Sequence, residues 1–171
     1  NGGFQVQNVA RIRQGDEALK ASLVQMNYSC MPNADGTLKG AKTMSTTVGM
    51  DIDHMFNMQG GPDLCAGEQM SVKSSEDLRR YIAMTNLPFV VKGVLSVHDA
   101  VKCAEIGVRG IVVSHHGGRL NDAVPPLYVL PDIAKAVGHK MEIFVDCGIL
   151  SGSDAYKAMA LGAKAVSVGI H

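Results

Sequence analysis

The stretch "PFVVKGVLSVHDAVKCAEIGVRGIVVSHHGGRLND", residues 88–122, decides the fold. It opens on "PFVVKG" (88–93), a short apolar run stopped by glycine. "SVHDAVKCAEIG" (96–107) follows, with Ser96 placed as a helix N-cap, Asp99 three residues on, and Gly107 as the stop. "GIVVSH" (110–115) is a second apolar run. Neither run alternates apolar with polar residues, so both faces of each strand are buried, as in a parallel sheet. Strand, capped helix, strand over some thirty residues is a βαβ unit.

The same pattern continues outward. "LYVLPDIAKAVG" (127–138) is the next helix, with its regular part expected to begin near Pro131. "EIFVDCG" (142–148) is a strand and "SGSDAYKAMALG" (151–162) a helix capped by Ser151 or Ser153. "AKAVSVG" (163–169) is a last strand. Upstream, "TTVGMDIDH" (46–54) reads as a strand and "SSEDLRRYIAM" (74–84) as a capped helix. Between them, residues 55–73 form a long Gly-rich loop, and loops of that length in compact domains are usually functional or disordered. Residues 1–45 are less readable: 9–26 suit one amphipathic helix and 30–40 a turn-rich connector. The expected organisation is thus an N-terminal segment, 1–45, and a βα-repeat unit, 46–171.

A doubly wound sheet and a (β/α)8 TIM barrel both fit this alternation, and both put functional residues at the C-terminal ends of the strands. Polar residues collect there: Asp51, Asp53 and His54, then Lys92, then Ser114 to Arg119, then Asp146 and Gly148, then Gly169. A barrel focuses such positions on one pocket, which favours the barrel. A whole barrel takes about 250 residues, so 171 residues suit about its second half. The opening "NGGF" and the closing "VSVGIH" read as the interior of a longer chain.

Composition narrows the classes. Lys plus Arg and Asp plus Glu number 16 each, for a formal net charge of zero. Bulk charge therefore points to neither nucleic acid nor a membrane surface. No apolar run approaches the roughly 18 residues of a membrane span. The four cysteines form no C-x-x-C pair, which fits a reduced, cytoplasmic compartment. Cys103 and Cys147 lie in apolar contexts and read as small core residues.

Each polar strand end has two readings. Lys92 is either a snorkelling surface lysine or a fixed positive charge facing an anionic or electron-accepting ligand. His116 and Arg119 are either solvated residues of a Gly-rich turn, or a base beside a bidentate carboxylate anchor suited to a 2-hydroxy or 2-keto acid. Asp146 is either an ion-pair partner for a strand-end cation, or a group that orients His116 or Arg119. "GILSGSD" (148–154) turns into a helix whose N-terminal N–H groups suit a phosphate.

Taken in order, "LPFVVKG…SHHGGRLND…FVDCGILSGSD…SVG" resembles the FMN-dependent α-hydroxy-acid oxidases and dehydrogenases, the glycolate and lactate oxidase type. The family pattern is a K-G after one strand, S-N-H-G-G-R-Q-L-D, D-G-G-(V/I)-R-x-G-x-D and G-R-P. The resemblance implies FMN as cofactor and oxidation of a small 2-hydroxy acid to the 2-keto acid. It implies His116 as the catalytic base and Arg119 as the substrate-carboxylate anchor. Lys92, Ser114, Asp146, Gly148 and Gly169 become cofactor-binding positions, with no metal. Asp51 falls near a flavin-contacting position. A small-molecule substrate, no nucleic-acid or membrane partner, a homo-oligomer and a cytoplasmic location complete the expectation.

The departures matter. His115 stands where the pattern has Asn, and Leu120-Asn121 where it has Gln-Leu. Leu150 and Ile170 stand where it has the phosphate arginines, a loss of about 1.5–3 kcal/mol per charge-assisted contact. The alternatives are therefore an incomplete or non-catalytic member with weakened FMN phosphate binding, and a half-barrel that needs a partner chain. A weaker one is another phosphate-binding barrel.

Overall fold

The computed structural model describes residues 47–53, 55–57, 59–65, 68–117, 119 and 122–168. The helix expected over 9–26, the connector over 30–40 and the boundary at 45/46 lie outside the described residues, as does Gly169.

The βαβ unit forms as its punctuation dictates. Strand β4 (Phe89–Val94) leads into helix α2 (Val97–Glu105), whose N-cap Ser96 accepts a hydrogen bond from the Asp99 N–H. Such a cap satisfies a donor that the first turn leaves without a partner, worth about 1 kcal/mol. Strand β5 (Gly110–Val113) follows. The other units repeat the scheme. Strand β1 (Val48–Asp51) comes first. Helix α1 (Ser75–Ala83) begins with a reciprocal capping box between Ser74 and Asp77. Strand β6 (Glu142–Val145), helix α4 (Gly152–Ala160) capped by Ser151, and strand β7 (Ala165–Val166) complete the series.

Helix α3 (Pro126–Val137) corrects one expectation. It starts five residues before Pro131, with Pro126 at N1. Proline suits that position, because its missing N–H would have no helical partner there. Pro131 then sits inside the helix without ending it. The long loop also holds a piece of structure that its glycines hid. Strands β2 (Leu64–Cys65) and β3 (Glu68–Gln69) pair antiparallel.

The main sheet is parallel, in the order β1-β4-β5-β6-β7. Alternate residues of its strands (Val48, Met50, Phe89, Val91, Ile111, Val113, Ile143, Val145) pack with Leu78, Tyr81, Ala100, Cys103, Leu130, Ile133 and Val137 from the helices. Each fully buried Leu, Ile or Val side chain there contributes about 1.5–3 kcal/mol. Val90 and Val112, pointing the other way, are also buried. Burial on both faces is why these strands read as unbroken apolar runs. Parallel strands in sequential order with helices between them make the chain a partial (β/α)8 barrel. Among the described residues, no helix is long and apolar enough to cross a membrane.

Cys103 behaves as the sequence suggests: it is buried, and burial together with the Asp99 charge pushes its thiol up to about 12. Cys147 does not. It lies just past β6, half-buried, at a positive φ of 64°.

Candidate active site

The C-terminal ends of β1, β4, β5 and β6 bring Asp51, Lys92, Ser114 and Asp146 together, as the register predicts: Asp51 pairs with Lys92, and Lys92 with Val112. Lys92 is not a snorkelling lysine. It is 8% exposed. Its Nζ lies 3.3 Å from Asp51 Oδ1, 3.9 Å from Asp146 Oδ2 and 3.0 Å from His116 Nδ1. A buried ammonium needs such partners, because leaving water unpaired costs far more than it recovers.

A bulge aims this lysine. Between β4 and β5 the register slips, Lys92 facing Val112 and Val94 facing Val113, so Gly93 is the extra residue. Gly93 has φ 98°, and a Cβ there would stand 2.6 Å from Asp53 Cγ. Glycine is required on both counts. Gly93→Ala is expected to cost about 1–2 kcal/mol from the left-handed backbone alone and to push Asp53 off its partner. A urea melt reads the first effect, and the His116 ring chemical shifts read the second.

Asp53 is the residue that sequence reasoning did not single out. It stood among the polar strand ends with no role assigned, yet its Oδ1 lies 3.2 Å from His116 Nδ1. Its side chain is 4% exposed. Burial raises its pKa, but the hydrogen bond from His116 and the charges of Lys92 and His116 outweigh that, so the net shift is downward. Asp53 is therefore ionised at neutral pH. A carboxyl lowered from 3.8 contributes stability above that value and loses it as pH falls through the lower folded value. Acid melts below about pH 4 should show wild type losing stability more steeply than Asp53→Asn.

Lys92 and Asp53 both meet the same imidazole nitrogen. An ammonium only donates, so one Nδ1 cannot accept from Lys92 and donate to Asp53 at once. With the proton on Nδ1 and directed at Asp53, Nε2 keeps its lone pair and can act as a base. His116 itself sits at φ 57°, with Gly117 at 67°. A non-Gly residue in that region is sparse and concentrates at functional sites. Its backbone is pinned by donating to Ser114 Oγ at 3.0 Å. Ser114 is wholly buried, 3.5 Å from Cys147 Sγ, which also accepts from the Gly117 N–H at 3.1 Å. The β5 and β6 ends are thus knitted together beneath the histidine. Burial raises the Cys147 pKa, against the hydrogen bonds from Ser114 and Gly117.

Asp146 settles between its two readings. Its Oδ2 faces Lys92, and its Oδ1 accepts from Cys147 at 3.0 Å. It is an ion-pair partner of Lys92, and the carboxylate beside His116 is that of Asp53. Arg119 is not a solvated turn residue: its side chain is 21% exposed and pairs with Asp63 of the loop after β1, with Phe56 O at 3.5 Å. Gly148 has φ 76°, with open space where a Cβ would project. Gly169 falls outside the described residues.

The donor set suits a flavin at the ring end. Asp53 Oδ2 is buried without a hydrogen-bond donor among the described residues, and Asp51 Oδ1 has the Lys92 ammonium at 3.3 Å without hydrogen-bond geometry; a ring N–H or a substrate hydroxyl would supply a donor. Asp51, Asp53 and His116 hold ligand atoms within 4.8 Å of one another, but the Lys92 ammonium already supplies the cation at that point. At the phosphate end the described turn, 148–154, carries no basic side chain. Leu150 is 70% exposed, and its N–H meets Asp154 Oδ2 at 3.3 Å.

Comparison with known proteins identifies the family. The family model described as FMN-dependent dehydrogenase matches residues 11–170. The chain is 44% identical over 104 residues to the L-lactate oxidase of Roseobacter sp. (strain GAI101), covering 60% of this chain and 28% of that protein. It is 48% identical over 97 residues to 2-hydroxyacid oxidase 1 of Homo sapiens, covering 56% of this chain and 26% of the other. A solved mandelate oxidase with (S)-4-hydroxymandelic acid superposes with TM-score 0.64 at 33% identity, over 72% of this chain and 44% of that one. A mandelate oxidase variant with (S)-mandelic acid gives TM-score 0.73 at 32% identity, over 98% and 50%. The matches thus span at most half the length of these relatives. With the family model covering nearly all of its residues, the chain belongs to the FMN-dependent dehydrogenase family, whose cofactor is FMN.

Proposed function

We propose that the protein containing this chain oxidises a small 2-hydroxy acid to the 2-keto acid with FMN. The observation that carries this reading is the His116–Asp53 pair beside Lys92 at the strand ends. Oxidation of a 2-hydroxy acid removes two electrons and two protons. Bound FMN would supply the two-electron acceptor. His116 Nε2 takes a proton from the substrate while Asp53 holds the ring and balances the imidazolium charge. Arg119 binds the substrate carboxylate with its planar fork. Lys92 offers positive charge to the ring system, with Ser114, Asp146, Gly148 and Gly169 as further cofactor contacts. Backbone N–H groups at the start of α4, those of Gly152 and Ser153 among them, would hold the phosphate, without the arginine that Leu150 replaces.

Support for the substrate class also comes from the relatives, named as lactate and 2-hydroxyacid oxidases. The substrate within that class, a homo-oligomeric assembly and a cytoplasmic location belong to the same proposal. So does the division into an N-terminal segment, 1–45, and a barrel unit, 46–171. The test is anaerobic mixing of FMN-loaded protein with glycolate, lactate and mandelate. Bleaching of the flavin's visible absorbance by at least one is the expected result, and full retention of colour with all three would refute the reading.

A further inference from the structure

Arg119 is already held by a carboxylate. Asp63 Oδ2 pairs with its guanidinium, and the pair is only 21% and 15% exposed. Asp63 occupies the neck of the loop that follows β1. Its N–H donates to Met55 O at 3.3 Å, and its carbonyl accepts from Met70 N at 2.8 Å. Its second carboxylate oxygen accepts from Leu64 N at 3.0 Å. One residue thus closes the loop on itself and ties it to Arg119.

Arg119 also reaches Phe56 O of this loop, at 3.5 Å, while the loop's described apolar side chains lie outside the core. Phe56, Leu64 and Val72 are 47%, 66% and 66% exposed, and none of the described residues from 55 to 73 belongs to the buried core cluster. The loop's internal order comes from hydrogen bonds: Asn57 Oδ1 accepts from Gln59 and Gly61 N–H groups at 3.0 Å, and Phe56 bridges Pro62. Segments with few buried apolar contacts lie at the low end of local stability. The ion pair at the neck is one of the contacts that dock the loop.

We propose that Asp63 is a specificity-determining residue that competes with the substrate carboxylate for Arg119, so that a small organic acid must displace it and in doing so releases the 55–70 loop. This rests on the reading of Arg119 as the carboxylate anchor. Two carboxylates repel at one guanidinium, so an anion that makes no second contact gains little by the exchange. A 2-hydroxy acid adds a hydroxyl for His116 and can pay that cost. Asp63 therefore discriminates against simple monocarboxylates.

The test uses phenylglyoxal labelling of Arg119, read by peptide mass spectrometry, on wild type and Asp63→Asn without and with glycolate. Asparagine keeps an oxygen for the Leu64 N–H, and far-UV circular dichroism confirms that the fold is kept. The Asp63→Asn protein should label about three- to fivefold faster, the effect of removing a partly exposed ion pair. Its glycolate concentration for half-protection should fall by a similar factor, and hydrogen exchange across 55–70 should rise in wild type when glycolate is added. Equal labelling rates in the two proteins overturn the proposal. Faster labelling of the variant with no protection by glycolate in either protein overturns the carboxylate-anchor reading itself, and the proposal with it.

Discussion

Lys92→Met should lower the unfolding free energy by about 3–5 kcal/mol, the cost of removing one partner from a buried ion pair. Methionine nearly matches the lysine stem in length and keeps the apolar packing beneath the charge. What it removes is the ammonium. Asp51, whose side chain is 1% exposed, then loses the only cation within 4 Å among the described residues, and Asp146 loses its partner at 3.9 Å. Asp53 also loses the lysine charge that helps hold its carboxyl below the usual range. Urea melts measure the loss directly. The double variant Lys92→Met with Asp51→Asn should recover much of it, because the uncompensated charge is gone. A single-variant loss below about 1 kcal/mol, the size of an exposed pair, would mean that Lys92 is not a buried charge centre.

His116→Ala should slow reduction of bound flavin by a 2-hydroxy acid about 10²- to 10⁴-fold, the usual contribution of a positioned acid–base group. The split between binding and chemistry is part of the prediction. Arg119 remains, so the substrate's dissociation constant should change little while the limiting reduction rate falls. Asp53→Asn should act in the same direction and shift the pH profile, since it removes the charge that fixes the ring's proton on Nδ1. Anaerobic stopped-flow at matched flavin occupancy gives both quantities. A variant that weakens binding but reduces flavin at the wild-type rate would assign His116 to substrate recognition.

The parts of the fold that are local in sequence were legible. Ser96 with Asp99 and Gly107 marks α2, and unbroken apolar runs mark strands buried on both faces. Lys92, Ser114 and His116 were legible as neighbours because strand ends in a βα series converge. Asp53 had no such mark as a partner. It meets His116 across 63 positions of chain, and a contact made over the top of a sheet leaves no spacing to read. Its nearest signal was the pair Asp51 and Asp53, an alternation that puts one acid at the last position of a buried strand and one just past it. Cys147 was misread because "FVDCGIL" surrounds it with apolar residues, although it stands one residue beyond the point where the strand turns out. The β2–β3 pairing lies under glycines that read as loop. The Arg119–Asp63 pair was hidden for the same reason as Asp53: its two ends are 56 residues apart.

The most direct measurement is a spectral titration of the protein with FMN. The strand-end cluster of Lys92, Ser114, His116 and Asp53 predicts a saturable perturbation of the flavin's visible bands at one FMN per chain, abolished or strongly weakened in Lys92→Met under conditions where that variant stays folded. A flavin spectrum that remains that of free FMN at every protein concentration would contradict the account.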